Sequence, residues 1–336
     1  MKLNLFIRTF CAPLLLLIYS SSASALTLKI ATLSPGGSFW MQKMREGSAE
    51  ILKQTEGRVK FKFYPGGVMG KDQDVIRKIR LHQLQGAAIT GNSLRNIYPD
   101  IQIYNLILKF RDLAEVDFVR QKMDKELMAG LEQHGFVSLG FAEIGMAYIM
   151  SVEPVQELEQ MRSRKAWVPE NNKLALVAMQ AFSISPIPLP IRDVLMGLQT
   201  NMIDIVAGSP VAAIALQWHT KIKYVTDIPL SYIFGFLMVD QKIFNKISQP
   251  DQLIVKSVMG AIIKELDQKN RQDNLLAKDA MIKQGIQFIK PTEAAANELR
   301  KIIIIANEKL EKDGNLSVEK VAEMNKLLAD YRKQKQ

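Results

Sequence analysis

The sequence predicts an α/β protein built as two lobes with long helices behind them. Three observations carry that expectation. The chain has 336 residues, 48% of them hydrophobic, which is too apolar for a disordered chain and longer than one typical core of about 100–200 residues. Strand and helix patterns alternate through its first third, as in βαβ units that build a mostly parallel sheet. Its last third turns to long helical periodicities.

The elements follow in order. Leu26–Leu33 is a short β-rich run ending at Ser34-Pro35-Gly36-Gly37, a strand entering a loop. Phe39–Thr55 has helical spacing and stops before Gly57. Arg58–Tyr64 alternates, with Val59, Phe61 and Phe63 on one face and Lys60 and Lys62 on the other. Pro65-Gly66-Gly67 breaks the strand, Asp72 to Leu84 reads as helix, and Gly86–Thr90 as a third short strand. A long helix is expected from about Leu113 to His134, with Gly135 closing it.

Phe136–Phe141 and Met146–Ser151 are strand candidates, followed by Lys165–Pro169, a helix from 171 to 181 and a proline-punctuated strand from Ile184 to Pro190. Asp193 is placed to cap the next helix, and Met202–Val206 reads as strand before the turn Gly208-Ser209-Pro210. Ser231–Val239 is a further strand. A helical pattern then runs from about Gln252 to Gln284, and Ile286–Ile289 is a strand. Thr292 and Ser317 are positioned to cap the last two helices.

The N-terminus has the features of a secretory signal peptide over residues 1–25. Lys2 and Arg8 form a basic start, Cys11 to Tyr19 an apolar run too short to span a bilayer, and Ala23-Ser24-Ala25 a small-residue cleavage site before Leu26. Removing it takes away the chain's one cysteine, so the remainder needs a conventional core rather than disulfides. These features predict a periplasmic address.

Composition and motifs argue against most chemistry. The excess of 44 Lys+Arg over 34 Asp+Glu is spread along the chain, without the basic runs interleaved with aromatics that mark a nucleic-acid surface. Three histidines and one cysteine leave little material for a metal centre, and no cofactor is expected. No G-x-S-x-G, H-E-x-x-H or C-x-x-C motif is present. Gly66–Asp72 (GGVMGKD) superficially resembles a phosphate loop, but its spacing is wrong and Asp72 stands where a hydroxyl belongs. No enzyme is predicted.

The order of four segments is similar to that of the solute-binding subunits of tripartite ATP-independent periplasmic (TRAP) transporters, of the dicarboxylate-binding type. They are KIATLSPGGSFW, then TEGRVKFKFYPGGVMGKDQDVI, then RSRKAWVP, then SPIPLPIRDVLMGLQTNMIDIVAGSP. The last is the most specific, since Leu198-Gln199-Thr200 and Asp204 fall at the family's spacing. The resemblance implies the two-lobed periplasmic binding protein fold, with hinge crossovers, closing on one small organic ligand. It also implies delivery to membrane permease subunits, although the same closure would serve a sensor subunit of a membrane receptor. Lobe boundaries are expected at 26–149 plus 236–285 for lobe I, and at 150–235 plus 286–336 for lobe II.

Departures from the family pattern set the expectation for the ligand. Where the resemblance implies a carboxylate-gripping arginine, this sequence has Trp167. A second family arginine corresponds to Ala147, and the family's asparagine before proline to Ser209. Losing one partner of a buried ion pair costs about 3–5 kcal/mol, so the sequence predicts a ligand more apolar than the usual carboxylates. The alternatives are that Trp167 packs in the core while Arg111 or Arg192 holds an anion, or that its π face receives a cation. Phe39, Trp40, Tyr148, Trp218 and Tyr232 are further candidates for the cleft border. Thr90 and Asn92 are candidates for polar contacts at the end of the third strand.

Overall fold

The computed structural model describes residues 25–170 and 172–335. The expected export segment, apart from Ala25, lies outside them. The strands are β1 (Leu26–Thr32), β2 (Val59–Tyr64), β3 (Gly86–Thr90), β4 (Phe136–Ser151), β5 (Trp167–Pro169), β6 (Ile187–Leu189), β7 (Ile205–Gly208), β8 (Tyr224–Asp240) and β9 (Gln287–Ile289). The helices are α1 (Phe39–Gln54), α2 (Asp72–Arg80), α3 (Leu113–Gln133), α4 (Leu158–Arg162), α5 (Lys173–Ala181), α6 (Val194–Gln199), α7 (Pro210–Ala215), α8 (Gln241–Phe244), α9 (Gln249–Lys283), α10 (Glu293–Lys312) and α11 (Val318–Gln334).

The main sheet runs β2-β1-β3-β8-β4-β7, with β9 on β8. β1 pairs parallel with both β2 and β3, as the alternating strand and helix patterns predict. β4 and β8 are long antiparallel partners that carry the sheet through both halves of the molecule. β5 and β6 form a separate parallel pair, tied to the main sheet by the bridge between Ala166 and Ile205.

β4 corrects the expectation of two strands. Gly140 and Gly145 read as breakers, but they sit at positive φ values of 136° and 126° beside register shifts in the β4–β8 ladder. Bulges of this kind bend a strand without ending it. β8 likewise starts seven residues before Ser231. Pro229, which lacks a ladder donor, falls where β4 has no partner between Thr226 and Ser231.

Side-chain caps appear where the sequence placed them for α10 and α11, whose Thr292 and Ser317 hydroxyls accept from Ala295 and Lys320 N–H. Asp193 makes no such bond. It ends a short 3-10 turn, Ile191–Asp193, that leads directly into α6.

The helices divide between the halves differently from the expected boundaries. α9 is a strap. Its first half packs on α1, where Met259 and Ile262 approach Gly47. In its second half Asn274 accepts from Val211 N–H at the start of α7, and Met281 joins the core around Trp167. α10 lies against α5, but α11 returns to α3 in the first half, setting the Tyr331 ring tilted against Phe118 at 5.0 Å and pairing Arg332 with Glu115 at 2.7 Å.

Candidate functional site

The turn that follows β3 brings Arg95 to one side of a cleft. A 3-10 turn, Gly91–Leu94, follows Thr90 directly. Gly91 is required there, because a Cβ would lie 3.0 Å from both Asn105 Oδ1 and the Phe234 ring. Thr90 Oγ1 and Ser93 Oγ are 3.2 Å apart, and the Ser93 hydroxyl also donates a short hydrogen bond to Asp72 at the start of α2. Gln73 Nε2 donates to Ser93 O at 3.2 Å. Burial pushes the Asp72 carboxyl up, against the hydrogen bonds from Ser93 and the Thr90 backbone. This network fixes the turn that ends at Arg95, and it leaves Asn92 Oδ1 buried with no partner among the described residues.

The opposite wall comes from the second half. β5 ends at Pro169, Glu170 follows, and the Asn172 side chain caps α5 by accepting from Ala175 N–H at 3.1 Å. Lys173, Leu176, Val177 and Gln180 recur at the helical spacing that makes one face. With Arg95, Glu170 and Pro188 they line a cleft of about 650 Å³. Beside it Lys71 Nζ, from the loop before α2, meets Glu170 Oε2 at 3.1 Å. The lining is amphipathic: three apolar side chains, one amide, one carboxylate and two cations.

The residues singled out from sequence are placed as follows. Trp167 is 4% exposed. Its Nε1–H donates to Leu189 O at 3.0 Å, and its ring meets Trp218 edge-on at 5.5 Å. It does not line this cleft and packs in the core, the arrangement that the sequence left open beside ligand contact. Its N–H needs a buried acceptor, and the neighbouring strand β6 supplies one. Ala147 is buried on β4 opposite Ser231. Ser209 is buried, and its hydroxyl accepts from Ala212 N–H to cap α7.

Tyr148 is half-buried between two core clusters, and burial pushes its phenol up. Phe39 and Trp40 pack against the core between β1, β2 and α9, with Lys43 and Lys269 at 5.6 and 5.9 Å from the Phe39 ring. Trp218 is buried beside Trp167, and Tyr232 is buried with its hydroxyl accepting from Arg120. Thr90 and Asn92 alone lie on the turn leading to the cleft. Arg192 is exposed beside Asp193 and Arg111 is exposed on the loop before α3, so neither alternative anion anchor lines the cleft. Sequence reasoning missed Arg95, Glu170 and Lys173. The available signal was position: each follows the C-terminal end of a strand, where α/β sheets place ligands.

Among the described residues no helix is long and apolar enough to cross a membrane. In structure the chain resembles a TRAP periplasmic solute-binding protein from Haemophilus influenzae with bound L-gulonate. The TM-score is 0.81 at 19% identity, covering 90% of this chain and 99% of that one. A TRAP protein from Desulfovibrio salexigens with bound orotic acid gives a TM-score of 0.81 at 16% identity, covering 91% and 99%. In sequence it is 23% identical to the 2,3-diketo-L-gulonate-binding periplasmic protein YiaO of Escherichia coli, over 76% of this chain and 80% of that protein. Residues 30–313 match the DctP model, described as bacterial extracellular solute-binding protein, family 7. These proteins bind solutes and are not enzymes, and the chain belongs to that family.

Proposed function

We propose that this protein is the exported periplasmic subunit of a TRAP-type transporter, made with a cleaved signal peptide, and that it captures a small organic acid and passes it to membrane permease subunits. The observation that carries the ligand class is the pair of cations, Arg95 and Lys173, on the two walls of one cleft whose other contacts include Leu176, Val177 and Pro188. A carboxylate between the walls gains charge-assisted hydrogen bonds from both sides, each worth about 1.5–3 kcal/mol. Its carbon skeleton lies on the apolar face of α5. The related proteins support an acid, since those named above carry gulonate, orotic acid or diketogulonate. The apolar face supports a skeleton less hydroxylated than a sugar acid, and the buried Trp167 supports an anion held away from the family's arginine position.

Calorimetric titration with a graded series of carboxylates, from sugar acids to aliphatic and aromatic acids, tests this reading. Affinity should peak for an acid with an apolar body and fall about 10–100-fold in Arg95→Met and again in Lys173→Met. Unchanged affinity in the double variant contradicts it.

A further inference from the structure

We infer that the glycine-rich loop Gly66–Lys71 is a closure latch, in which Lys71 pairs with Glu170 beside the cleft and biases the two halves toward the closed form. The loop is the GGVMGKD segment whose spacing excludes a phosphate site. Its three glycines adopt positive φ of 69°, 72° and 101°, a region open to glycine at no steric cost. Gly66 N–H donates to Ser34 O at 2.9 Å, Gly67 N–H to Thr32 O at 3.0 Å, and Lys78 Nζ to Met69 O at 2.8 Å. On its far side Asp72 is held by Ser93. The backbone that carries Lys71 is therefore anchored at both ends to the first half of the molecule.

Its partner is equally fixed. Glu170 follows Pro169 at the end of β5 and precedes the Asn172 cap of α5. The pair joins residues 99 apart in sequence and links the loop before α2 to the segment between β5 and α5. With side chains 62% and 39% exposed, it is open to salt. Exposed pairs of this kind contribute a few tenths to about 1 kcal/mol, up to about a fivefold change in the closed-to-open ratio. A latch of that size tips closure without preventing release.

The test reads closure itself and needs no ligand, so it can fail while the ligand assignment stands. Cys11 is the one native cysteine. It leaves with the export segment, so nitroxide labels on cysteines introduced at the exposed positions Lys53 and Met196 of the mature chain report the distance between halves by electron–electron resonance. The wild-type loop should give a short-distance component that shrinks when ionic strength rises from about 0.01 M to about 1 M, where the screening length falls from roughly 30 Å to 3 Å. Lys71→Glu and Glu170→Lys should each shift weight to longer distances, and the combined reversal should restore the short component. No short component in the wild type, unchanged distributions in the single variants, or failure of the combined reversal to restore the short component overturns the latch.

Discussion

Trp167→Ala separates a packing role from a ligand-binding one. The indole is 4% exposed, donates to Leu189 O at 3.0 Å and meets Trp218 edge-on at 5.5 Å and 70°. Truncating a buried tryptophan to alanine costs about 3–5 kcal/mol. The edge-on pair accounts for about 0.5–1.5 kcal/mol of that, and the carbonyl of Leu189 loses its indole donor. Relaxation is limited, because the Trp218 ring lies 3.0 Å from where a Cβ on Gly208 would be. At roughly 2–4 °C per kcal/mol for a chain of this size, the melting temperature should fall by about 10 °C. Thermal melting and calorimetric titration with the best carboxylate should be run on the same variant. The packing predicts a lower melting temperature with ligand affinity within about threefold of the parent, roughly 0.6 kcal/mol. An unchanged melting temperature with affinity lost by tenfold or more would refute it and return the indole to the cleft wall.

Other parts of the fold give equally direct expectations. Arg271 makes paired contacts with Asp117 and with Glu143, whose side chain is fully buried. Arg271→Met should cost about 3–5 kcal/mol at neutral pH, because Glu143 is left buried without its ion-pair partner. Burial already holds the Glu143 carboxyl above its ordinary range, with the hydrogen bonds from Arg271 opposing. A carboxyl raised in the folded state loses stability as pH rises above its unfolded value and none below it. The variant's deficit should therefore shrink on acidification toward about pH 4.3, and denaturant unfolding across that range checks it. Gly86→Ala would put a Cβ 2.2 Å from the Met238 carbonyl oxygen. β3 should then be prised from β8 at the upper end of the roughly 1–3 kcal/mol typical of overpacking, seen as a lower denaturation midpoint.

Much of the architecture was legible in the chain because local signals and tertiary packing agree. The alternation of Val59, Phe61 and Phe63 gives β2, and Thr292 and Ser317 cap the helices that follow them. β4 was hidden because Gly140 and Gly145 signal breaks locally, while their meaning depends on pairing with β8. The path of α11 was hidden for a similar reason: an amphipathic helix states that it has a buried face, not which helix covers it. The cleft was hardest to read. Lys173, Leu176, Val177 and Gln180 have the spacing of any surface helix, and Arg95 sits at the end of a 3-10 turn with no periodicity. Only the fold brings them together. Trp167 drew attention because the family resemblance carries an arginine there, yet nothing in the sequence says that Trp218 packs against it.

The claim that this protein holds an organic anion between Arg95 and Lys173 is tested most directly by native mass spectrometry of the chain purified without added ligand from its own host. The account predicts one small organic acid per protein, retained by the wild type and absent from Arg95→Met/Lys173→Met folded to the same melting temperature. A neutral or cationic solute in the cleft, or an acid retained undiminished by the double variant, would contradict it.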